Sequence, residues 1–233
     1  MRNFKYRRLL LTLFIFALMG VQSLRGQEAL PYDTTYTFSH YKELRAKYEK
    51  LPDQKGEIIF LGNSITERGD WPTLFKNKNI INRGIGGDVC FGVLNRLDEV
   101  ISSHPKIVFL MIGINDIGRN VPLEIIAGKI RQIVDKIKAK SPETRIYLQS
   151  VLPINESVMK FDYMKNKSDE IVLLNQLIRS FALKENIRFL DLYSHFADGN
   201  GQLIARYTVD GIHLSAEGYH QWVNVFKLEN IRM

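Results

Sequence analysis

Four short blocks in this 233-residue chain hold side chains that could together hydrolyse an ester. Gly62-Asn63-Ser64 offers a hydroxyl, and the run from Asn82 to Asp88 contains the glycine turn Gly84-Ile85-Gly86-Gly87. Gly113-Ile114-Asn115-Asp116 offers a neutral amide, and Asp210-Gly211-Ile212-His213 sets an acid three residues before a histidine. Acyl transfer divides its labour in this way. A serine needs a base to take its proton, the base needs an acid to hold its tautomer, and the oxyanion that forms needs hydrogen-bond donors.

Each block also has a plainer use. Ser64 follows the expected strand Glu57–Leu61, so it is expected in a turn at a strand end, where a serine can equally cap a helix or cradle a phosphate. The glycine block lacks the spacing of a dinucleotide fingerprint and the Lys-Ser or Lys-Thr of a P-loop, which speaks against nucleotide binding. What it does allow is close approach of a substrate carbonyl to a backbone amide. Asn115 follows the continuous apolar run of the third expected strand and could reach the same oxygen from another side, whereas the charged Asp116 suits a bracing role. Two histidines have an acid three residues earlier, His213 with Asp210 and His220 with Glu217. His220 falls inside a helical pattern with Trp222, Val223 and Phe226 and reads as a surface or satisfied histidine; His195 has no acid orienter in view.

In this order, serine first and the acid and histidine last, the blocks resemble the SGNH (GDSL-type) hydrolases over nearly the whole chain after residue 26. The run NRGIGGDVCFGVLNRLDEV is most similar to the platelet-activating-factor acetylhydrolase catalytic subunits and bacterial acetylesterases of the sialate O-acetylesterase kind. The resemblance implies Ser64, His213 and Asp210 as catalytic residues. It also implies an oxyanion hole from the Ser64 and Gly87 amides and the Asn115 side chain, with neither metal nor cofactor. Where the family has Gly-Asp-Ser-Leu this chain has Gly-Asn-Ser-Ile; Asn63 keeps a turn-forming hydrogen bond and lacks the charge.

These residues need a scaffold, and the pattern supplies one. Apolar runs at 57–61, 79–82, 106–112, 144–150 and 187–191 read as strands, alternating with helical patterns at 39–51, 89–103, 123–140, 168–185 and 215–226. That alternation predicts an α/β fold, a three-layer flavodoxin-like domain on a five-stranded parallel sheet. The longest irregular stretch, 153–167, carries Met159, Phe161, Tyr163 and Met164 and reads either as a surface loop or as a mobile wall of the substrate site.

Arg2, Lys5, Arg7 and Arg8 precede an apolar run from Leu9 to Gly20, with small residues at Ser23 and Gly26, the pattern of a secretory signal over residues 1–26. Residues 27–233 then form one domain. The formal charge of +7 comes mostly from the signal, which holds five of the 32 Lys and Arg and no acid and so leaves 27 against 25 acids. No clustered basic face for nucleic acid remains. Cys90, alone, can form no internal disulfide and reads as a small buried residue.

The expected protein is therefore an exported serine esterase, periplasmic or extracellular, that removes short O-acyl groups, acetyl foremost, from carbohydrate. It would have no nucleic-acid partner and no membrane span once processed. The rivals are a phospholipase or lysophospholipase with an apolar groove along Met159, Phe161 and Met164, a carbohydrate-binding module without turnover, and a metal-dependent esterase.

Overall fold

The computed structural model describes residues 32–233; the expected export signal lies outside the described residues. Five strands carry the chain through the core: β1 (Ile58–Gly62), β2 (Ile80–Gly84), β3 (Ile107–Met111), β4 (Arg145–Gln149) and β5 (Arg188–Leu190). Every neighbouring pair is parallel, and the order is β2-β1-β3-β4-β5. Each strand therefore needs a crossover, and helices do the crossing. β1 and β3 are buried at every position, which is why both read as unbroken apolar runs rather than alternating ones.

The helices are α1 (Ser39–Tyr48), α2 (Ser64–Glu67), α3 (Trp71–Phe75), α4 (Cys90–Asn95), α5 (Leu97–Ile101), α6 (Ile114–Gly118), α7 (Leu123–Lys140), α8 (Ser168–Lys184), α9 (Tyr193–Phe196) and α10 (Ala216–Leu228). In α7 the buried residues Ile126, Ile130, Ile133, Val134 and Ile137 recur at helical spacing, and Lys138 and Lys140 suit the negative end of the helix dipole. Ser215 caps α10, accepting from Gly218 N.

Successive strand residues point to opposite faces. Phe60 on β1 stacks on Trp71 at 4.4 Å between ring centroids and packs against Phe109 of β3 at 5.0 Å, while Trp71 meets Trp222 edge-on at 5.0 Å. That aromatic cluster fastens α3 and α10 to one face. The alternate residues Ile59, Leu61, Val108 and Leu110 face the other layer, where α7 packs against α4, α5 and α8.

The helix expected over 89–103 is broken at Arg96, which leaves helical geometry at φ −96° and ψ 9°. Its guanidinium is buried and pairs with Asp88 at 2.9 Å while donating to the Gly62 and Arg83 carbonyls at 3.2 and 2.8 Å. A buried cation must meet acceptors or cost several kcal/mol, and local helicity yields to that demand. Gly84, expected to shape the turn, is instead the last residue of β2.

β1 and β3 are neighbours whose connections leave in opposite directions, the first to β2 and the second to β4. Such a divergence opens a crevice at the carboxyl ends of the strands. Ser64 follows β1 there, Gly87 follows β2 and Asn115 follows β3.

Candidate active site

Asn63 shapes the turn after β1: its side-chain oxygen accepts from Ile65 N at 3.1 Å, and α2 begins at Ser64. From behind, Tyr219 of α10 donates its hydroxyl to Ile65 O at 2.7 Å. Ser64 Oγ lies 2.9 Å from His213 Nε2, and His213 Nδ1 lies 2.7 Å from Asp210 Oδ2. With a carboxylate at Nδ1, that nitrogen carries the proton and Nε2 is left to accept one from the serine.

Asp210 and His213 meet because the intervening turn is held on itself. Thr208 Oγ1 donates to His213 O at 2.9 Å and accepts from Gly211 N at 2.9 Å, and Val209 N donates to His213 O at 3.0 Å. Burial opposes ionisation of Asp210, but hydrogen bonds from the His213 amide, the His213 ring and Ile212 N outweigh it and hold the carboxyl below its usual range. The acid is thus charged whenever the histidine is working.

The glycine turn is pinned at almost every polar backbone group. Ile85 N donates to Gly62 O, Gly86 N to the Glu67 carboxylate and Asp88 N to Ile85 O. The Gly87 carbonyl accepts from Arg119 Nη2 at 3.1 Å, and the Asp88 carbonyl from Asn115 Nδ2 at 2.9 Å. Of the four amides from Ile85 to Asp88, only that of Gly87 has no acceptor among the described residues. Gly87 has φ +77°, and a Cβ there would lie 3.1 Å from the Phe38 ring, so both conformation and space favour glycine.

Because Asn115 Nδ2 faces a carbonyl, its amide orientation is fixed, and its second N–H makes no hydrogen bond among the described residues. Asp116 points away and accepts from Cys90 N at 3.1 Å through both oxygens, bracing α4. Burial pushes its carboxyl up to about 7, against the pull of the Cys90 amide. Cys90 is buried, and burial beside Asp116 drives its thiol further up, away from reactivity.

Ser64, His213 and Asp210 thus lie in one hydrogen-bonded chain and Asn115 is bonded to the residue after Gly87, while the decoys take no part in that chain. His220 is exposed on α10, and His195 sits 3.9 Å from Glu229. The sequence reading did not foresee Glu67, Arg96 or Arg119, which hold the glycine turn and the Arg83 carbonyl just before it from 13 to 32 residues away along the chain. Nor did it foresee Phe161 standing edge-on to the His213 ring at 5.8 Å. The segment 153–167 is indeed a wall of the site, and hydrogen bonds from Asn155 N to Gly211 O at 2.8 Å and Lys160 N to Asp210 O at 3.1 Å tie it to the acid–histidine turn. Among the described residues no three His, Cys, Asp or Glu side chains gather as metal ligands, and no helix is long and apolar enough to cross a membrane.

A serine, a histidine and an acid in hydrogen-bonded sequence beside a free amide, on this sheet order, define a class of acyl-transferring hydrolase. The family model described as GDSL-like Lipase/Acylhydrolase matches residues 60–221, and the chain belongs to that family as a carboxylic ester hydrolase. The rat platelet-activating factor acetylhydrolase IB subunit alpha2 is 29% identical over 174 residues, 72% of either chain. A solved Streptococcus pneumonia protein, provisionally named a platelet activating factor, superposes with TM-score 0.76 at 29% identity, covering 82% of this chain and 92% of its own. A GDSL-like lipase from Bacteroides thetaiotaomicron gives 0.71 at 28% identity, covering 81% and 96%.

Proposed function

We infer that the protein is an exported serine esterase that removes acetyl and other short acyl groups from the hydroxyls of carbohydrate. The observation that carries this reading is the unbroken chain from Ser64 through His213 to Asp210, set beside the one uncommitted amide of the glycine turn. Ser64 Oγ attacks the ester carbonyl as its proton passes to His213 Nε2. The Ser64 and Gly87 amides and Asn115 Nδ2 hold the tetrahedral oxyanion. On collapse, His213 returns the proton to the departing alcohol, then takes one from the water that frees the acyl group from Ser64.

Short acyl groups are favoured by what the wall of the site exposes. Met164 is only 1% exposed, and Met159 and Phe161 pack against the core, so these residues offer no continuous apolar groove for a long chain. The rat relative is named for removing an acetyl group, which supports the same size class. Export rests on the basic start and apolar run of residues 1–26, and with it a periplasmic or extracellular location.

The test is kcat/KM across p-nitrophenyl acetate, butyrate and octanoate, with acetate release from acetylated xylan and O-acetylated sialic acid. A steep fall from acetyl to octanoyl is expected. A maximum at octanoate would replace this reading with the lipid acylhydrolase.

A further inference from the structure

Granted the esterase reading, the reaction fixes which side of the crevice the alcohol leaves from. The oxyanion faces Gly87 and Asn115, and the leaving oxygen must face His213 Nε2, the atom that returns its proton. On the His213 side stands Phe161, at 5.8 Å and an interplanar angle of 74°, with the ring of Tyr163 6.0 Å from that of Phe161.

Tyr163 differs from the apolar residues around it, Phe161 and Met164, in being open. It is 56% exposed, while Met164 beside it is buried beneath α6. Its ring rests on Gly118 of α6, the helix that carries Asn115, and a Cβ at that position would lie 2.9 Å from the ring. The missing side chain is what lets the ring lie there. The backbone bearing it is tied to the Asp210 turn through Lys160 N, so the ring keeps its register with the histidine. Burial of the remaining ring surface raises the phenol, and the charges of Arg119 and Asp210 both act on it, consistent with a place at the crevice mouth.

The surroundings select a kind of ligand. Asp162 and Lys165, both exposed and paired at 2.7 Å, flank Tyr163 in the chain. One aromatic face among charged, hydrogen-bonding neighbours suits a ring with an apolar CH face and a hydroxylated rim. It suits an acyl chain poorly, since that needs unbroken apolar surface. We propose that Tyr163, backed by Phe161, is a leaving-group subsite that stacks on the face of a pyranose whose hydroxyl carries the acyl group.

The experiment compares wild type, Tyr163→Ala and Tyr163→Phe on acetylated xylobiose, on the ringless ester triacetin and on p-nitrophenyl octanoate. Tyr163→Ala should lose about threefold to tenfold in kcat/KM on the sugar ester, mainly through KM, with triacetin within about twofold of wild type. Tyr163→Phe should keep the sugar activity, since the ring face and not the hydroxyl is used. An equal loss on both acetyl esters, no loss on the sugar, or a loss confined to octanoate would each overturn the subsite. So would a wild type that hydrolyses triacetin but not the sugar ester, a result that leaves the esterase reading standing. A wild type inert on every ester would remove that reading and the subsite with it.

Discussion

Replacing Asn115 with alanine deletes two hydrogen bonds that report on different things. One runs from Nδ2 to the Asp88 carbonyl at 2.9 Å and exists in the resting protein. The other, from the second N–H of the same amide, forms only when the ester oxygen becomes an oxyanion. The first is an ordinary hydrogen bond, worth about 0.5–1.5 kcal/mol of stability, and for a domain of this size its loss lowers Tm by roughly 2–4 °C per kcal/mol. The second acts on the transition state, and removing one such donor costs roughly 10²–10³ in kcat, about 3–4 kcal/mol. Steady-state kinetics on p-nitrophenyl acetate, with thermal unfolding of the same preparations, separates the two. A folded variant with kcat down by that factor and KM little changed is the expected result. Asn115→Asp should be at least as slow, since a carboxylate sets negative charge where the oxyanion forms. A variant whose KM rises while kcat holds would make Asn115 a ground-state binding group and send the oxyanion role elsewhere.

Three further outcomes follow from the same geometry. His213→Ala should abolish turnover while His220→Ala leaves it at wild-type level, and similar losses in two folded variants would defeat the assignment of the base. Asp210→Asn should cost roughly 10³–10⁴ in kcat, by favouring the wrong tautomer and leaving the imidazolium without its counter-ion; near-wild-type kcat would refute the orienting role. Asp116 is held at about 7, so between roughly pH 4 and that value the folded protein keeps a proton that the unfolded chain has lost. Wild-type stability therefore falls through this window as pH rises. Denaturant unfolding of Asp116→Asn should show its stability, relative to wild type, climbing from pH 4 to about 7 and levelling above; a difference that ignores pH would place the charge elsewhere.

What the sequence made legible was whatever is decided locally. β1 and β3 are short runs of apolar, mostly β-branched or aromatic residues, and the other three strands each carry at least two apolar residues. Ser64, Gly87 and Asn115 follow the ends of β1, β2 and β3, which are neighbours in the sheet. Asp210 and His213 are three residues apart, and one turn joins them. What escaped is held by partners distant in sequence. Arg96 interrupts a well-patterned helix because its acceptors sit on Gly62 and Arg83 as well as on nearby Asp88. Arg119 fastens Gly87 to Thr35 of the amino-terminal segment, and Glu67 receives both Gly86 N and His40. A surface-like Arg or Glu carries no periodicity that marks such a partner.

The central claim is that Ser64 is the acyl acceptor, and a fluorophosphonate tests it most directly, since this electrophile traps an activated serine covalently. Intact mass and peptide mapping should find one adduct, on Ser64, formed in step with loss of esterase activity, with Ser64→Ala folded, inert and unlabelled. Turnover retained by Ser64→Ala, or inactivation with the adduct on another residue, would contradict it.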